Sequence, residues 1–469
     1  MRKKTLLLGI SAMSLAVSAS FFIEPVSSQS ADRARDPGVR VDPPLARPSA
    51  GGHIAGLTPN EIRFFRLGKE DFEEVEGVAD GLGPRMNLDS CGTCHAQPAT
   101  GGTSPALNPQ VAFANTATPS QLPAVDSFIR PRGPVREARF VRNPDGSPDG
   151  GVHALFTITG RPGVDVSPPG PCRLEQPDFE REIANRNVIF RIPTPVFGAG
   201  LIEQIPDTAI LANQASSTSQ KRDLGISGHA NYRVSGRTIS GQANNNGNDG
   251  TIARFGWKAQ NQTLLLFSGE AYNVEMGITS ELFQVERDET PSCQFTTVPN
   301  DTQDFNALDA LAGTTAIQNF ANFQRFLAPP RPSPNTPGGA QSIARGRGVF
   351  ESTGCALCHT PTLRTGNSTV VALRNQPANL FSNLLVHDMG DGLADGVSQG
   401  QAGPREFRTS PLWGLGQRIF FLHDGRTSDL LEAIQQHRSD GSEANAVVRR
   451  FNELRESQKQ DLLNFLRSL

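Results

Sequence analysis

Apolar residues recur at helical spacing after Thr58, at Ile62, Phe64, Phe65 and Leu67. With Thr58 as N-cap, Pro59 at the first helical position and Glu61 three residues after the cap, the pattern predicts a helix start. Beyond residue 340, Ile343, Val349 and Phe350 predict another helix, and the chain closes on the run Asp461, Leu462, Leu463, Asn464, Phe465, Leu466. Period-two alternation appears over 138–141 and 152–159, around Asn143, Pro144, Asp145 and Gly146, and predicts a β-hairpin. At the N-terminus, Arg2, Lys3 and Lys4 precede an apolar run from Leu6 to Ile23, followed by small residues at Ser27 and Ser28. This is the layout of a secretory signal over 1–30, and it predicts an exported, periplasmic protein; a retained anchor is the alternative. The polar, Pro-rich stretch 31–54 (Pro37, Pro43, Pro44, Pro48) reads as a disordered lead-in. A second Pro-rich segment at 329–339 reads as a stiff linker. It divides an N-terminal domain over 55–328 from a C-terminal domain over 340–469.

Composition narrows the field. The 469 residues carry a net charge of −3, so no broad positive field exists for a phosphate backbone and nucleic acid is excluded as a partner. With 46 Gly and 35 Pro the chain is loop-rich around a folded core. The loop over 235–249 ends in Asn244, Asn245, Asn246, Gly247, Asn248 and Asp249; its oxygen density suits calcium, but the spacing fits no EF-hand, and a solvated loop is the favoured reading. Six cysteines are too few for a disulfide scaffold.

Their positions say more. Cys91-Gly92-Thr93-Cys94-His95 and Cys355-Ala356-Leu357-Cys358-His359 both read C-x-x-C-H, the haem c attachment pattern. The two thiols add across the haem vinyl groups and the following histidine ligates iron. A zinc site would need further Cys or His at ligand spacing, and a redox dithiol needs no histidine after it. Two motifs therefore predict two covalently bound haem c groups, anchored by Cys91, Cys94, Cys355 and Cys358 and ligated by His95 and His359. The expected fold class is mainly α: two cytochrome c-like haem domains, the first enlarged by a loop-rich insertion with β-hairpins. The remaining Cys172 and Cys293 read as a disulfide closing a loop of about 120 residues in an oxidising compartment.

An iron with two strong protein ligands transfers electrons, whereas an open position binds oxygen or peroxide. Met389, 30 residues beyond His359, is the first candidate for a second ligand, with His387 behind it and core packing as the remaining reading. No histidine or methionine lies between His95 and His153, so the first motif has no comparable partner. Glu275 and Trp257 stand out instead. A carboxylate above an open iron can move a proton from one peroxide oxygen to the other, and an indole between two haems can assist electron transfer. On the residues alone the plainer readings are favoured: a surface or helix-cap carboxylate for Glu275, core packing for Trp257.

The combination resembles the bacterial dihaem cytochrome c peroxidase superfamily. The resemblance rests on two CxxCH motifs more than 250 residues apart, Trp257 followed 18 residues later by Glu275, Arg408-Thr409-Ser410-Pro411-Leu412, and Leu422-His423-Asp424-Gly425-Arg426. Gly81-Leu82-Gly83-Pro84, Gly198-Ala199-Gly200-Leu201 and His387-Asp388-Met389-Gly390 bring it nearest to the di-haem oxidoreductase branch, also labelled thiol oxidoreductase. The resemblance implies a substrate-facing haem on the first motif with Glu275 as distal acid/base, and an electron-receiving haem on the second with Met389 as second ligand. Trp257 would lie between them, and His423 to Arg426 would pack at a haem edge. It also implies a small redox donor, a cytochrome or cupredoxin, and peroxide or dioxygen as oxidant; relatives often form homodimers, which is left open here. Two positions depart from the well-studied peroxidases: Val111 stands where they carry a blocking histidine, and Phe267 where they carry a glutamine. The first implies a haem that needs no unmasking, and the second a less polar pocket. A dihaem oxygenase and a non-catalytic electron carrier are the alternatives to a peroxidase.

Overall fold

The computed structural model describes residues 33–41, 50–116, 126–157, 174–232, 238–239, 242–243, 252–285, 299–307, 309 and 313–469. The signal over 1–30, Cys172, Cys293 and most of the 235–249 loop lie outside these residues.

Helix α1 (Pro59–Glu73) begins with a closed capping box: the Glu61 amide donates to Thr58 Oγ1, and the Thr58 amide donates to Glu61 Oε2 at 2.7 Å. The first motif forms a single turn, α2 (Cys91–Cys94). The expected hairpin is present in part and gains a strand: β1 (Glu137–Phe140) pairs antiparallel with β2 (Val152–His153) on one side and with β3 (Val188–Arg191) on the other, while Phe156 and Thr157, expected in its second strand, pair instead with Met86 and Arg85. Next come α3 (Leu264–Met276), N-capped by the Thr263 side chain, and α4 (Ala316–Phe326), N-capped by Thr315. The C-terminal part contains α5 (Gly339–Thr353), the antiparallel pair β4 (Val386–Asp388) and β5 (Glu406–Arg408), α6 (Leu430–Gln436) and α7 (Glu456–Ser468). No strand exceeds four residues among the described residues, so the architecture is mainly α.

The same device organises both halves. Each motif follows a 15-residue helix, α1 or α5, that packs against a later helix, α4 or α7. Both contacts need glycine. A Cβ on Gly68 would sit 2.2 Å from the Asn319 carbonyl oxygen, and one on Gly346 would sit 1.9 Å from that of Asp461. Around the first pair gather Phe65, Phe72, Phe320 and Phe323, and around the second Phe350, Phe381, Phe451, Leu462 and Phe465. The first core extends past residue 340 through Leu363, Leu380 and Trp413, and Ala34–Leu469 forms one compact unit.

The lead-in departs from expectation in its described parts. Rather than floating free, Asp36 forms a buried ion pair with Arg467 at 2.6 Å, Ala34 joins the second core, and the Ile54 amide donates to Phe326. Arg467 has no exposed surface, so its charge requires this carboxylate. Residues of the 329–339 segment likewise lie along α7, with the Ser333 amide donating to Ser468. No helix among the described residues is long and apolar enough to cross a membrane.

Candidate haem-binding cavities

Each CxxCH motif opens onto its own cavity. The first, of about 1040 Å³, is lined by Cys91, Cys94 and His95 and by Phe72, Phe320, Trp257 and Glu275. The second, of about 1450 Å³, is lined by Cys355, Cys358 and His359, by Met389, His423 and His437, and again by Trp257. Both have the largely apolar walls of a cofactor pocket. The partial exposure of the four cysteines is surface turned toward these cavities, not toward bulk water. Burial accordingly pushes the Cys91 and Cys355 thiols up to about 12 and lowers the His95 and His359 imidazoles to about 4 and about 3.

The histidines are oriented as ligands. His95 Nδ1 donates to the Gly102 carbonyl at 2.9 Å and His359 Nδ1 to that of Phe381 at 3.0 Å, which leaves each Nε2 lone pair facing its cavity. A third imidazole, not singled out from sequence, has the same arrangement. His437, at the end of α6, donates from Nδ1 to the Ala433 carbonyl at 2.7 Å and lines the second cavity. His387 differs: Glu443 holds its Nδ1 at 2.7 Å and Asn383 donates to its Nε2 at 3.0 Å. Met389 lines the same cavity as His437.

The second cavity also fits a dianionic group. Arg408 and Arg418 line it, both enclosed by protein, and neither has a carboxylate partner among the described residues. Arg408 donates to the Gly256 carbonyl and Arg418 to that of Pro411. Burial, and for Arg408 the neighbouring Arg418 charge, lowers each guanidinium to about 10. Two unpaired buried cations beside a haem-attachment motif match the two propionates of a haem. Arg136 lines the first cavity, and its Nε has no hydrogen-bond partner among the described residues.

Trp257 stands where the cavities meet. Its indole Nε1 donates to the Ile192 carbonyl at 2.9 Å, its carbonyl accepts from the Arg408 amide at 2.8 Å, and its ring meets His423 edge to face. His423 itself stacks on Phe407 at 4.3 Å and lines the second cavity, while Arg426 stays exposed and pairs with Asp424.

Glu275 is positioned by α3. Phe267, Ala271 and Glu275 recur at i, i+4, i+8 and face the first cavity together. Phe267 stacks on Phe255 with centroids 6.0 Å apart, so the position where the peroxidases carry a glutamine is an apolar wall. Asn87 donates to Glu275 Oε2 at 2.7 Å, and the helix ends at Gly277 in the left-handed region. Besides Arg136, three charged residues that sequence reasoning did not single out line the same cavity: Glu137, Arg139 and Arg191. Glu137 and Arg191 are direct cross-strand partners, and Arg139 lies two residues along on the same face of β1. Burial and the Glu137 carboxylate push the Glu275 carboxyl well above the usual range. Glu137 is held low, against its burial, by Arg139, by its hydrogen bond with Glu275 and by Arg191.

The family model described as "Di-haem oxidoreductase, putative peroxidase" matches residues 179–469, more than half of the chain. The chain belongs to that family. The matched span holds Trp257, Glu275, His437 and the whole second motif, while the first motif precedes it. Among curated proteins none matches. Solved structures that match include a Kuenenia stuttgartiensis hydrazine synthase chain, pressurized with 20 bar xenon, 18% identical, with a TM-score of 0.22. The match covers 33% of this chain and 55% of that one, so the chain spans about half the length of that neighbour.

Proposed function

We propose that this di-haem oxidoreductase carries two covalent haem c groups in two cytochrome c-like domains and reduces peroxide at the first. Electrons would come from a small redox protein and enter at the second. The observation that carries this reading is the shared wall: Trp257 lines both cavities, which differ in their polar equipment. Haem iron supplies peroxide binding where a coordination position is open, and electron transfer where two protein ligands occupy it.

Among the described residues lining the first cavity, His95 is the one imidazole, the Met276 thioether lies 3.8 Å from Cys91 Sγ, and Glu275 brings a carboxyl, which suits the cavity to the open role. Glu275 holds a proton at its carboxyl and can give it to a departing oxygen and take one back from the other. Glu275→Gln is expected to lower peroxide turnover by about 10²–10⁴-fold, the usual weight of a general acid/base. Stopped-flow peroxide consumption with unchanged haem spectra checks this, and unaltered turnover refutes the role. Export through the N-terminal signal is part of the proposal, as attachment of haem c suits an oxidising compartment.

Besides His359, the second cavity is lined by four side chains able to ligate iron, Met389, His387, His423 and His437; His387 has both ring nitrogens engaged, by Glu443 and Asn383, and His423 is stacked on Phe407. The geometry favours His437, because the Ala433 carbonyl fixes its tautomer and turns Nε2 to the cavity in the manner of His95 and His359. His437→Ala is therefore expected to convert the low-spin haem to high spin, and Met389→Leu to leave it low spin. Magnetic circular dichroism decides between them. A methionine–iron charge-transfer band in the wild type, lost in Met389→Leu, assigns the ligand to Met389 instead. The apolar wall at Phe267 favours a second reading, a dihaem oxygenase on an organic substrate, which dioxygen consumption without peroxide turnover would identify.

A further inference from the structure

We propose that Glu137 and Glu275 act as one unit sharing a single proton over the first cavity, with Glu137 as the positioning residue that keeps Glu275 in its acid form. The inference rests on the assignment of Glu275 as acid/base and adds a residue to it. Both carboxyls line the cavity and hydrogen-bond to each other. Two ionised carboxylates are acceptors only, so a hydrogen bond between them requires one proton in the pair.

The surroundings decide which member holds it. Glu137 is ion-paired with Arg139 along β1 and faces Arg191 across the strands, so the negative charge resides there. Glu275 feels the Arg139 charge but forms no ion pair with a guanidinium among the described residues; its hydrogen-bond donor is the Asn87 amide. That amide cannot turn over, because Asn87 Oδ1 accepts from the Leu155 amide at 2.9 Å and leaves Nδ2 to donate to Glu275. The other charged groups bearing on the pair are Glu270, which acts on Arg139 and bonds Asn261, and Glu76, behind Cys91 and bonded to Tyr272.

The arrangement has a chemical consequence. When the Glu275 O–H bond breaks and its proton forms a new O–H bond on substrate oxygen, no electrons leave the carboxyl. Two carboxylates then face each other among largely apolar walls, an unfavourable state. Glu275 becomes a strong base and recaptures a proton from the next oxygen. A lone buried glutamate would lack this restoring repulsion.

Infrared difference spectroscopy of the haem-loaded protein tests the pair directly. At neutral pH the wild type should show a protonated-carboxyl band that shifts in D2O and disappears in Glu275→Gln; bands from other buried acids such as Glu76 cancel in the difference. In Glu137→Gln the like charge is gone while Arg139 and Arg191 remain, so Glu275 ionises and the same band is lost, whereas Glu137→Asp retains it. Persistence of the band in Glu137→Gln would show that burial alone keeps Glu275 neutral and overturns the proposal. Should Glu137→Gln fail to fold, the wild-type minus Glu275→Gln difference still decides, since no lost carboxyl band there overturns it equally. A band that behaves as expected in a protein without peroxide turnover leaves the pair standing and removes the peroxidase reading instead.

Discussion

Asp395→Ala is expected to destabilise the protein by about 3–5 kcal/mol, the cost of stripping one partner from a buried ion pair. Asp395 has no exposed side-chain surface and joins two cations at once: Arg191 Nη2 lies 2.7 Å from Oδ2 and Lys258 Nζ 3.0 Å from Oδ1. Neither cation can reach water. Lys258 is fully buried, lies 4.0 Å over the Phe407 ring and otherwise donates to the Gly403 and Glu406 carbonyls. Burial already lowers its ammonium to about 8, so in the variant Lys258 can shed its proton, but Arg191 cannot. Burial works against the Asp395 carboxylate, yet Arg191 and Lys258 depress its pKa overall, so its stabilisation is present above the ordinary carboxylate range and is lost as pH falls through the depressed value. Denaturant titrations at neutral and strongly acid pH check both parts: a clear loss at neutral pH, and curves that converge in acid. An unchanged midpoint at neutral pH would show that the network contributes nothing. The same substitution frees Arg191 to turn wholly toward Glu137, which ties this distant carboxylate to the charge balance beside Glu275.

Local chemistry was legible from the sequence and non-local chemistry was not. The Thr58 cap and the turn around Asn143 to Gly146 depend on residues within a few positions of each other and appear where the pattern puts them, whereas the second strand of the hairpin stops at His153 and Phe156–Thr157 pairs with Arg85–Met86. The CxxCH motifs carry their attachment atoms and ligand in five consecutive residues. Glu137, Arg139 and Arg191 form a site only because β3 pairs with β1 in one register, and nothing in a single chain announces that pairing. An acid and an arginine two apart in a strand share a face, but the alternation placed the strand at 138–141 and left Glu137 just outside it. His437 is 78 residues from His359 and reaches its cavity through the packing of α6, so its neighbours in sequence give no ligand signature. Met389 drew attention because it lies in a compact motif. The lead-in misled for the opposite reason: its proline content suggested disorder, while a single aspartate, Asp36, fixes it to Arg467.

Cys355→Ala combined with Cys358→Ala is expected to remove one of two covalently held haems and to leave a markedly less stable protein. The first effect follows from thioether chemistry, because each covalent link to the second haem is made by one of these two sulfurs and the variant has neither; haem staining of the denatured chain and intact mass check it, and two haems still attached would refute the assignment of the second motif. The second effect follows from Arg408 and Arg418. Both guanidiniums are enclosed, both line the second cavity, and their partners among the described residues are carbonyls, not carboxylates. A bound group with two carboxylates neutralises them, and without it two like charges remain buried side by side, at a cost of about 1–3 kcal/mol for each unsatisfied group and more for a charge. The sign of a further substitution separates this account from simple loss of packing. Arg418→Met should lower the thermal midpoint of the haem-loaded protein, because it removes a propionate partner. In the double cysteine variant the same change should raise the midpoint, because it removes an unpaired charge. A fall in both backgrounds would mean that Arg418 stabilises the fold by itself, through Pro411 and its packing, and that the cavity does not require an anion there.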